Sequence, residues 1–326
     1  MVDGMTRICD SDEFLGESHA GHCYIQLTGQ QNRGHELPLQ DILYAHIAMS
    51  SARIKTNERI ADLKSMLCVG LDSDPAKMPA LFSSMDRPVL EFNRAVIRAT
   101  SAHAAAYKVN TAFYESRGLA GMRDLGDTLE ALPPECLSIA DAKRADIGNT
   151  SRQYAKAFFE SWPFDSITVA PYMGFDSLEP FFEYDDKLVF VLCLTSNLGS
   201  RDFEEQIMQD GRPLYRTVLD RVMQWQRNGN AGIVVGATKP GLLEELRRDA
   251  PDLFFLIPGV GTQGGSMHDA VAQGADRDRL SAVINVSRSL IFPEGEFRSV
   301  EEFEAAVGKE AKILHEGMIG MLQDFV

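Results

Sequence analysis

Residues 137–150 read LSIADAKRADIGNT, an apolar run followed at once by alternating charges. The apolar run predicts a buried strand whose carboxyl end carries Asp141 and Lys143, and the two-residue period of a strand points both side chains the same way. Asp146 and Thr150 follow four residues apart, which predicts that they share one face of the next helix. An ammonium beside a carboxylate stays protonated, because the anion raises its pKa. The stretch therefore predicts a strand–helix unit that could stabilise and then protonate a carbanion.

The same charges are also typical of a solvated cluster at the start of a helix, so the rest of the chain decides between the two interpretations. Nearly continuous apolar runs predict parallel strands at residues 66–72, 105–110, 137–141, 166–170, 188–195, 232–237, 253–257 and 282–286. Amphipathic stretches between them predict helices that include residues 90–101, 151–159, 214–226, 242–248, 266–273 and 300–322. Eight such alternations favour a (β/α)8 barrel, with a doubly wound open sheet as the alternative.

Residues 1–40 differ from this pattern, because they are polar, rich in Gly, Gln and His, and without sustained periodicity. We interpret them as an N-terminal extension of unknown role. Residues 41–326 form the single barrel domain in this interpretation, introduced by a helix near residues 39–64. His19, His22 and Cys23 carry donor atoms that suit a metal ion, but no second pair of ligands lies nearby. The sequence therefore predicts no metal site.

Charge and cysteine usage restrict the partners and the compartment. The chain of 326 residues has a net charge of −15, from 47 acidic and 32 basic residues. This argues against a general affinity for nucleic acid or an anionic membrane, and an anionic ligand would need a local basic pocket. Five cysteines without a C-x-x-C pair favour a reducing compartment, and no apolar run approaches membrane-spanning length. We therefore expect a soluble cytoplasmic protein.

Polar residues recur at the carboxyl ends of the predicted strands, which is the end of a (β/α)8 barrel that holds the active site. In chain order they are Asp72, Lys108, Asn110, Asp141, Lys143, Thr195, Ser196, Gln263, Ser287 and Arg288. An isolated lysine would usually lie on the surface, and an isolated aspartate in a turn. Their shared placement instead predicts a functional site.

The loops after the seventh and eighth strands often bind phosphate in such barrels. Here the first of them, residues 258–265, is rich in glycine and includes Gln263, and Arg288 follows the eighth strand with a guanidinium suited to bidentate contact with phosphate. The glycines also match the dinucleotide pattern G-x-G-x-x-G, but the match lies late in the chain without a first βαβ unit before it. We therefore favour a phosphate site over a nicotinamide site.

Taken together, these motifs resemble the orotidine 5'-phosphate decarboxylase family, in its longer-chain branch. The resemblance covers roughly residues 40–326, in matching order. The matching pieces are Cys68-Val-Gly-Leu-Asp72, Tyr107-Lys-Val-Asn110, the D-x-K-x-x-D-I-x-x-T motif at 141–150, Leu194-Thr-Ser-Asn197, Pro258-Gly-Val-Gly-Thr-Gln263 and Ser287-Arg288. The resemblance implies a barrel homodimer that converts orotidine 5'-monophosphate (OMP) to UMP and CO2 in de novo pyrimidine biosynthesis, without metal or organic cofactor.

The resemblance also implies a role for each matched residue. Lys143 would donate the proton to C6, Asp141 would lie beside the substrate carboxylate, and Lys108 would complete the charge network. Asp146 and Thr150 would enter the site of the partner subunit. The remaining matched residues would bind substrate: Asp72 and Asn110 the ribose, Thr195 and Ser196 the pyrimidine, Gln263 and Arg288 the phosphate, with Pro258 and Ser287 in the same phosphate-binding segments. Many family members have Gly where this chain has Ser287.

Three other functions remain open on the sequence. A Mg²⁺-dependent sugar-phosphate decarboxylase of the same superfamily would need an acidic ligand at the end of the second strand, where this chain has Lys108. A Schiff-base aldolase could use Lys108 or Lys143. A non-catalytic sensor of a phosphoribosyl ligand is the third, although intact Lys143 and Asp146 argue against it.

Overall fold

The computed structural model describes residues 49–261, 264–276 and 280–323. Eight parallel strands form a closed barrel in chain order, and the eighth pairs with the first. The strands are β1 (Leu67–Leu71), β2 (Ala106–Asn110), β3 (Leu137–Arg144), β4 (Ser166–Val169), β5 (Leu188–Leu194), β6 (Ala231–Val235), β7 (Phe254–Ile257) and β8 (Ala282–Val286). The predicted (β/α)8 barrel is confirmed, and the open sheet is wrong because β8 closes on β1. The predicted extension over residues 1–40 lies outside the described residues.

Helices separate the strands along the chain. They are α1 (Ser51–Leu63), α2 (Ala80–Ser83), α3 (Pro88–Thr100), α4 (Ala112–Glu115), α5 (Gly118–Glu130), α6 (Gly148–Lys156), α7 (Phe175–Phe182), α8 (Ser200–Phe203), α9 (Leu214–Trp225), α10 (Pro240–Asp249), α11 (Met267–Gly274), α12 (Arg288–Ile291) and α13 (Val300–Gln323). A π-helical turn spans Ala157–Ser161, and a 3-10 turn spans Pro171–Met173. None of these described helices is long and apolar enough to span a membrane.

The first described helix, α1, begins at Ser51, inside the predicted range 39–64. Ser50 is its N-cap, and the Oγ atom of Ser50 accepts a hydrogen bond of 3.3 Å from the backbone N–H of Arg53. A serine in this position satisfies one of the free N–H groups of the first turn, so the helix starts at Ser51. Of the predicted range 39–64, residues 39–48 lie outside the described residues.

The strands are buried on both faces, and α1 packs against the amino-terminal end of the barrel. β1, β6 and β8 are buried along their whole length, as expected for parallel strands in an α/β protein. The guanidinium of Arg53 on α1 donates hydrogen bonds to the carbonyl of Asp252 at 2.6 Å and to Oγ of Ser281 at 3.0 Å. Both acceptors lie just before a strand begins. Because α1 packs at the amino-terminal end of the barrel, the carboxyl-terminal end is the one that remains open for a functional site.

Candidate active site

A cavity of about 280 Å³ lies at the carboxyl ends of the strands. It is lined by residues from all eight strands or from the loops that directly follow them, so the fold gathers positions far apart in sequence. The predicted site residues in its lining are Asp72, Lys108, Asn110, Asp141, Lys143, Thr195, Ser196, Pro258, Ser287 and Arg288. The expectation that polar strand ends converge at one place is met by the geometry.

Three predicted residues are not among those that line this cavity. Gln263 lies outside the described residues, so its role stays a prediction. The interpretation that Asp146 and Thr150 share a helix face is wrong, because α6 begins at Gly148 and Asp146 precedes it. Oδ1 of Asp146 accepts a hydrogen bond of 2.8 Å from the backbone N–H of Ile147. A short acidic side chain often takes a nearby backbone N–H in this way, which favours a non-helical conformation just before a helix.

Four charged side chains form an alternating row along the cavity. Nζ of Lys108 lies 3.6 Å from Oδ1 of Asp72 and 2.8 Å from Oδ2 of Asp141. Nζ of Lys143 lies 2.5 Å from the other oxygen of Asp141. Asp141 is therefore held between two ammonium groups. Lys143 is the outermost member of the row, with half of its side chain exposed, whereas Lys108 is buried.

This arrangement keeps the central groups ionised. Burial alone would favour the neutral amine of Lys108, but attraction from Asp141 and then Asp72 outweighs it and raises the pKa of Lys108 above its usual range. Burial would likewise favour a protonated Asp141. The charges of Lys108 and Lys143 outweigh that effect and hold the pKa of Asp141 well below its usual range. At neutral pH the site therefore contains a buried carboxylate rather than a carboxylic acid.

The backbone of β3 is irregular where it delivers the motif. Ala140 pairs with Ile167 and Arg144 pairs with Val169, so β3 advances four residues while β4 advances two. Within this bulge Lys143 has a φ of 48°, in the left-handed region that residues other than glycine rarely adopt. The strand also extends to Arg144, beyond the predicted end at residue 141. Asp141 and Lys143 do meet, but through a bulge rather than through simple alternation.

Thr195, at the end of β5, is held by a residue that the sequence did not indicate. Its backbone N–H donates to Oε2 of Glu204 at 2.7 Å, and its hydroxyl lies 2.9 Å from Oε1 of the same carboxylate. The hydroxyl also lies 2.7 Å from Oδ1 of Asn197. Glu204 lies at the C-terminus of the short helix α8, nine residues beyond Thr195. No sequence pattern connects Thr195 with Glu204, because their contact depends on the conformation of the loop between β5 and α8.

The part of the cavity lined by Arg288 and the loop after β7 has the properties expected of an anion site. Within the described residues, no carboxylate lies at ion-pair distance from Arg288, which lines the cavity. Gly259 and Gly261, in the loop after β7, have φ values of 97° and 82°, which side chains disfavour. Ser287 packs so closely on β1 that a Cβ atom at Gly70 would lie 1.8 Å from its Oγ. The chain therefore accommodates Ser287 by having glycine on the neighbouring strand.

The cavity also has lining residues to which the sequence interpretation gave no role. They are Thr168, Leu192, Asn197, Val234, Leu256, Gly259, Val260 and Asn285. Leu192, Val234 and Leu256 lie on strands that are apolar throughout, so nothing in the sequence distinguishes them from core residues. Thr168 and Asn285 are polar residues inside apolar runs. This departure from the apolar pattern is the signal by which the sequence could have identified them as lining residues.

The fold and this row of charges define the chain as a (β/α)8-barrel enzyme with fixed ammonium and carboxylate groups at one end of the barrel. The chain belongs to the orotidine 5'-phosphate decarboxylase / HUMPS family, whose sequence profile matches residues 65–302. The family resemblance read from the motifs is thereby confirmed.

Relatives and solved structures agree with this family. The orotidine 5'-phosphate decarboxylase of Dehalococcoides mccartyi is 45% identical over 257 residues, which cover 78% of this chain and 92% of that protein. The structure of Leishmania donovani OMP decarboxylase is 39% identical with a TM-score of 0.71, and the match covers 83% of this chain and 98% of that one. Leishmania donovani UMP synthase matches with 39% identity and a TM-score of 0.72 over 84% of this chain, which spans only 56% of that longer protein.

Proposed function

We propose that this protein converts orotidine 5'-monophosphate to UMP and CO2 without a metal or organic cofactor. The observation that carries the proposal is the row formed by Asp72, Lys108, Asp141 and Lys143 along the cavity. The row places one accessible ammonium next to a carboxylate that is ionised at neutral pH. Relatives that bear the name of this decarboxylase, at 45% identity over most of the chain, support the choice of substrate.

In the proposed reaction the bond between C6 and the carboxylate carbon breaks, and its electron pair stays on C6 as CO2 leaves. The ammonium of Lys143 stabilises that pair and then transfers a proton to C6, which yields UMP and a neutral amine. Preorganised charge of this kind is usually the largest contribution to catalysis. Because half of the Lys143 side chain is exposed, solvent can return the proton before the next turnover.

Asp141 and Lys108 prepare the site for this step. Lys108 is buried beside Asp141 and keeps it ionised, so the substrate carboxylate would meet a fixed negative charge. Repulsion between the two carboxylates would be relieved as neutral CO2 forms. Leu192, Val234 and Leu256 line the same cavity and would suit neutral CO2 better than an anion.

The phosphate group of the substrate would occupy the end of the cavity at Arg288. Its guanidinium can contact two phosphate oxygens at once, and the glycine loop after β7 leaves room for an anion at the backbone. Gln263 is proposed as a further ligand on the strength of the family motif. Because the phosphate lies away from the reacting bond, its binding energy can support orientation of the pyrimidine.

We also propose that the active protein is a homodimer in which Asp146 and Thr150 reach the partner's site. Neither residue lines the cavity of its own chain. Large apolar side chains are exposed on loops at the same end of the barrel: Ile147 at 60%, Tyr172 at 73% and Leu198 at 85%. Apolar surface of this kind commonly marks an interaction site, and a second copy placed there would lie next to Asp146.

The decisive experiment follows the loss of OMP absorbance with the purified chain in excess EDTA, together with the amounts of UMP and CO2 formed. The expected result is one UMP and one CO2 for each OMP consumed, at a rate that EDTA does not change. OMP turnover that disappears in EDTA and returns with Mg²⁺ would contradict the proposal that the reaction needs no metal. Binding of OMP without any product, even in a single turnover, would support the sensor.

A further inference from the structure

Thr168, in the middle of β4, contacts both charged residues of the β3 motif. Its hydroxyl donates a hydrogen bond of 3.0 Å to Oδ1 of Asp141. The same oxygen accepts a hydrogen bond of 3.0 Å from the backbone N–H of Lys143. A threonine hydroxyl has one donor and two acceptor sites, so both contacts can exist together. Thr168 is only 1% exposed, which holds these contacts away from solvent.

We propose that Thr168 is a positioning residue that holds Asp141 and Lys143 in their reactive arrangement. The inference rests on the proposed decarboxylation and deepens it. Lys143 is the residue whose backbone adopts a φ of 48° inside the β3 bulge. In that conformation its N–H is directed to a side chain on β4, and Thr168 supplies the acceptor. The threonine therefore stabilises the backbone conformation from which the Lys143 side chain extends.

The hydroxyl of Thr168 also holds the carboxylate of Asp141 in place during the proposed reaction. Oδ2 of Asp141 accepts from Lys108, whereas Oδ1 accepts from both Lys143 and Thr168. When Lys143 gives its proton to C6, Oδ1 loses its charged donor. Thr168 takes no part in that proton transfer, so its hydrogen bond remains. It keeps the carboxylate from rotating until Lys143 is protonated again.

A second hydroxyl on β4 offers a matched control. Ser166 lies two residues before Thr168 on the same face of the strand and is fully buried. Its hydroxyl donates a hydrogen bond of 3.0 Å to the carbonyl of Ser138, and Ser166 does not line the cavity. Removing it tests the effect of losing any buried hydroxyl from this strand. Of the two, Thr168 alone combines burial with contacts to Asp141 and Lys143.

The test compares the wild type with Thr168→Val, Thr168→Ser and Ser166→Ala, by steady-state kinetics with OMP and by thermal unfolding. Valine keeps the shape of threonine but removes the hydroxyl. We expect Thr168→Val to lower kcat by about 10- to 100-fold, the effect of a lost hydrogen bond to a charged group, with KM changed much less. Thr168→Ser should restore kcat to within about threefold of the wild type. Ser166→Ala should lower Tm but leave kcat unchanged.

Two results would overturn the role of Thr168. One is a Thr168→Val enzyme with wild-type kcat. The other is a Thr168→Ser enzyme as impaired as Thr168→Val, which would show that the methyl group matters and the hydroxyl does not. If Thr168→Val does not fold, Thr168→Ala replaces it in the same comparison. A wild type that leaves OMP unchanged contradicts the proposed function itself, whereas an active wild type with an unimpaired valine variant contradicts only the inference about Thr168.

Discussion

Nζ of Lys108 lies 2.8 Å from Oδ2 of Asp141, with only 6% and 10% of the two side chains exposed. A buried ion pair of this kind contributes little net stability compared with apolar residues, but each partner depends strongly on the other. The pair lies on adjacent strands, where Lys108 is opposite Ile139 and Asn110 is opposite Asp141. Removing either partner would therefore leave the other as an unpaired buried charge, which lowers the stability of the fold. The two groups proposed to act in the reaction thus also affect folding stability.

The first prediction concerns stability and pH. Asp141→Asn removes the carboxylate and leaves the buried Lys108 with Asp72, at 3.6 Å, as its remaining ion-pair partner among the described residues. We expect the free energy of unfolding to fall by about 3 kcal/mol at pH 7, as for other broken buried pairs. Urea denaturation measures the change. The matched control is Asp86→Asn at an exposed aspartate, which should change stability by less than about 0.5 kcal/mol.

The pH dependence of this difference has a definite sign. The folded protein holds the pKa of Asp141 below its unfolded value of about 3.9. The stabilisation from its ionised form is therefore complete above that pH and is lost as the pH falls towards the folded pKa. The gap between wild type and Asp141→Asn should stay constant from pH 7 to about pH 5 and narrow below about pH 4. A gap that widens on acidification would contradict an ionised Asp141.

The second prediction concerns the proton donor. Lys143→Ala removes the exposed ammonium and leaves Lys108 and Asp141 in contact. The fold and the proposed phosphate site at Arg288 should therefore remain intact. We expect kcat to fall by about three orders of magnitude or more, because one group supplies both charge stabilisation and the proton. Calorimetry should show that UMP still binds. Lys156→Ala, at an exposed lysine of α6, is the control. Near-wild-type turnover by Lys143→Ala would remove Lys143 from the mechanism.

The sequence was sufficient for the architecture and for most of the site, because both follow local rules. Continuous apolar runs identify parallel strands, and polar residues at their ends stand out against that background. Lys108, Asp141 and Arg288 could be selected in this way from their positions along the chain. The same rule could not select Leu192 or Val234, which line the cavity but look like core residues.

The remaining features depend on contacts between distant segments. The left-handed conformation of Lys143 arises from the pairing of β3 with β4, and Thr168 is 25 residues away along the chain. The regular two-residue period of a strand therefore predicted correctly that Asp141 and Lys143 are neighbours. It did not predict the left-handed backbone conformation of Lys143. The prediction that Asp146 lies on a helix face was wrong for a local reason. Its carboxylate accepts a hydrogen bond from the backbone N–H of Ile147, before the helix begins.

The third prediction concerns the loop after β5. Glu204 accepts hydrogen bonds from both the backbone and the hydroxyl of Thr195, the proposed contact to the pyrimidine. Glu204→Ala should lower kcat/KM for OMP by about tenfold or more, mainly through a higher KM, because Thr195 loses its charged acceptor. Glu204→Gln keeps one acceptor oxygen and should give an intermediate value. Asp202→Ala, at an exposed residue of the same segment, should leave kcat/KM unchanged. Equal kcat/KM for Glu204→Ala and wild type would separate Glu204 from substrate binding.

The last prediction tests the shared site. Inactive Lys143→Ala and Asp146→Ala subunits are mixed, allowed to exchange, and assayed with OMP. If Asp146 acts across the interface, each hybrid dimer has one site with both native residues and one site lacking both. Equal mixing makes half of the dimers hybrids, so roughly a quarter of wild-type activity should return.

Mixing Lys143→Ala with Asp141→Asn subunits provides the control, because Lys143 and Asp141 are in contact within one chain. Neither site of that hybrid would be complete, so no activity should return. Native mass spectrometry confirms exchange in both mixtures. Recovery in the first mixture and none in the second would place Asp146 in the partner's site. If exchange is complete and neither mixture recovers, Asp146 acts within its own subunit rather than across the interface, and the exposed side chains of Ile147, Tyr172 and Leu198 need another explanation.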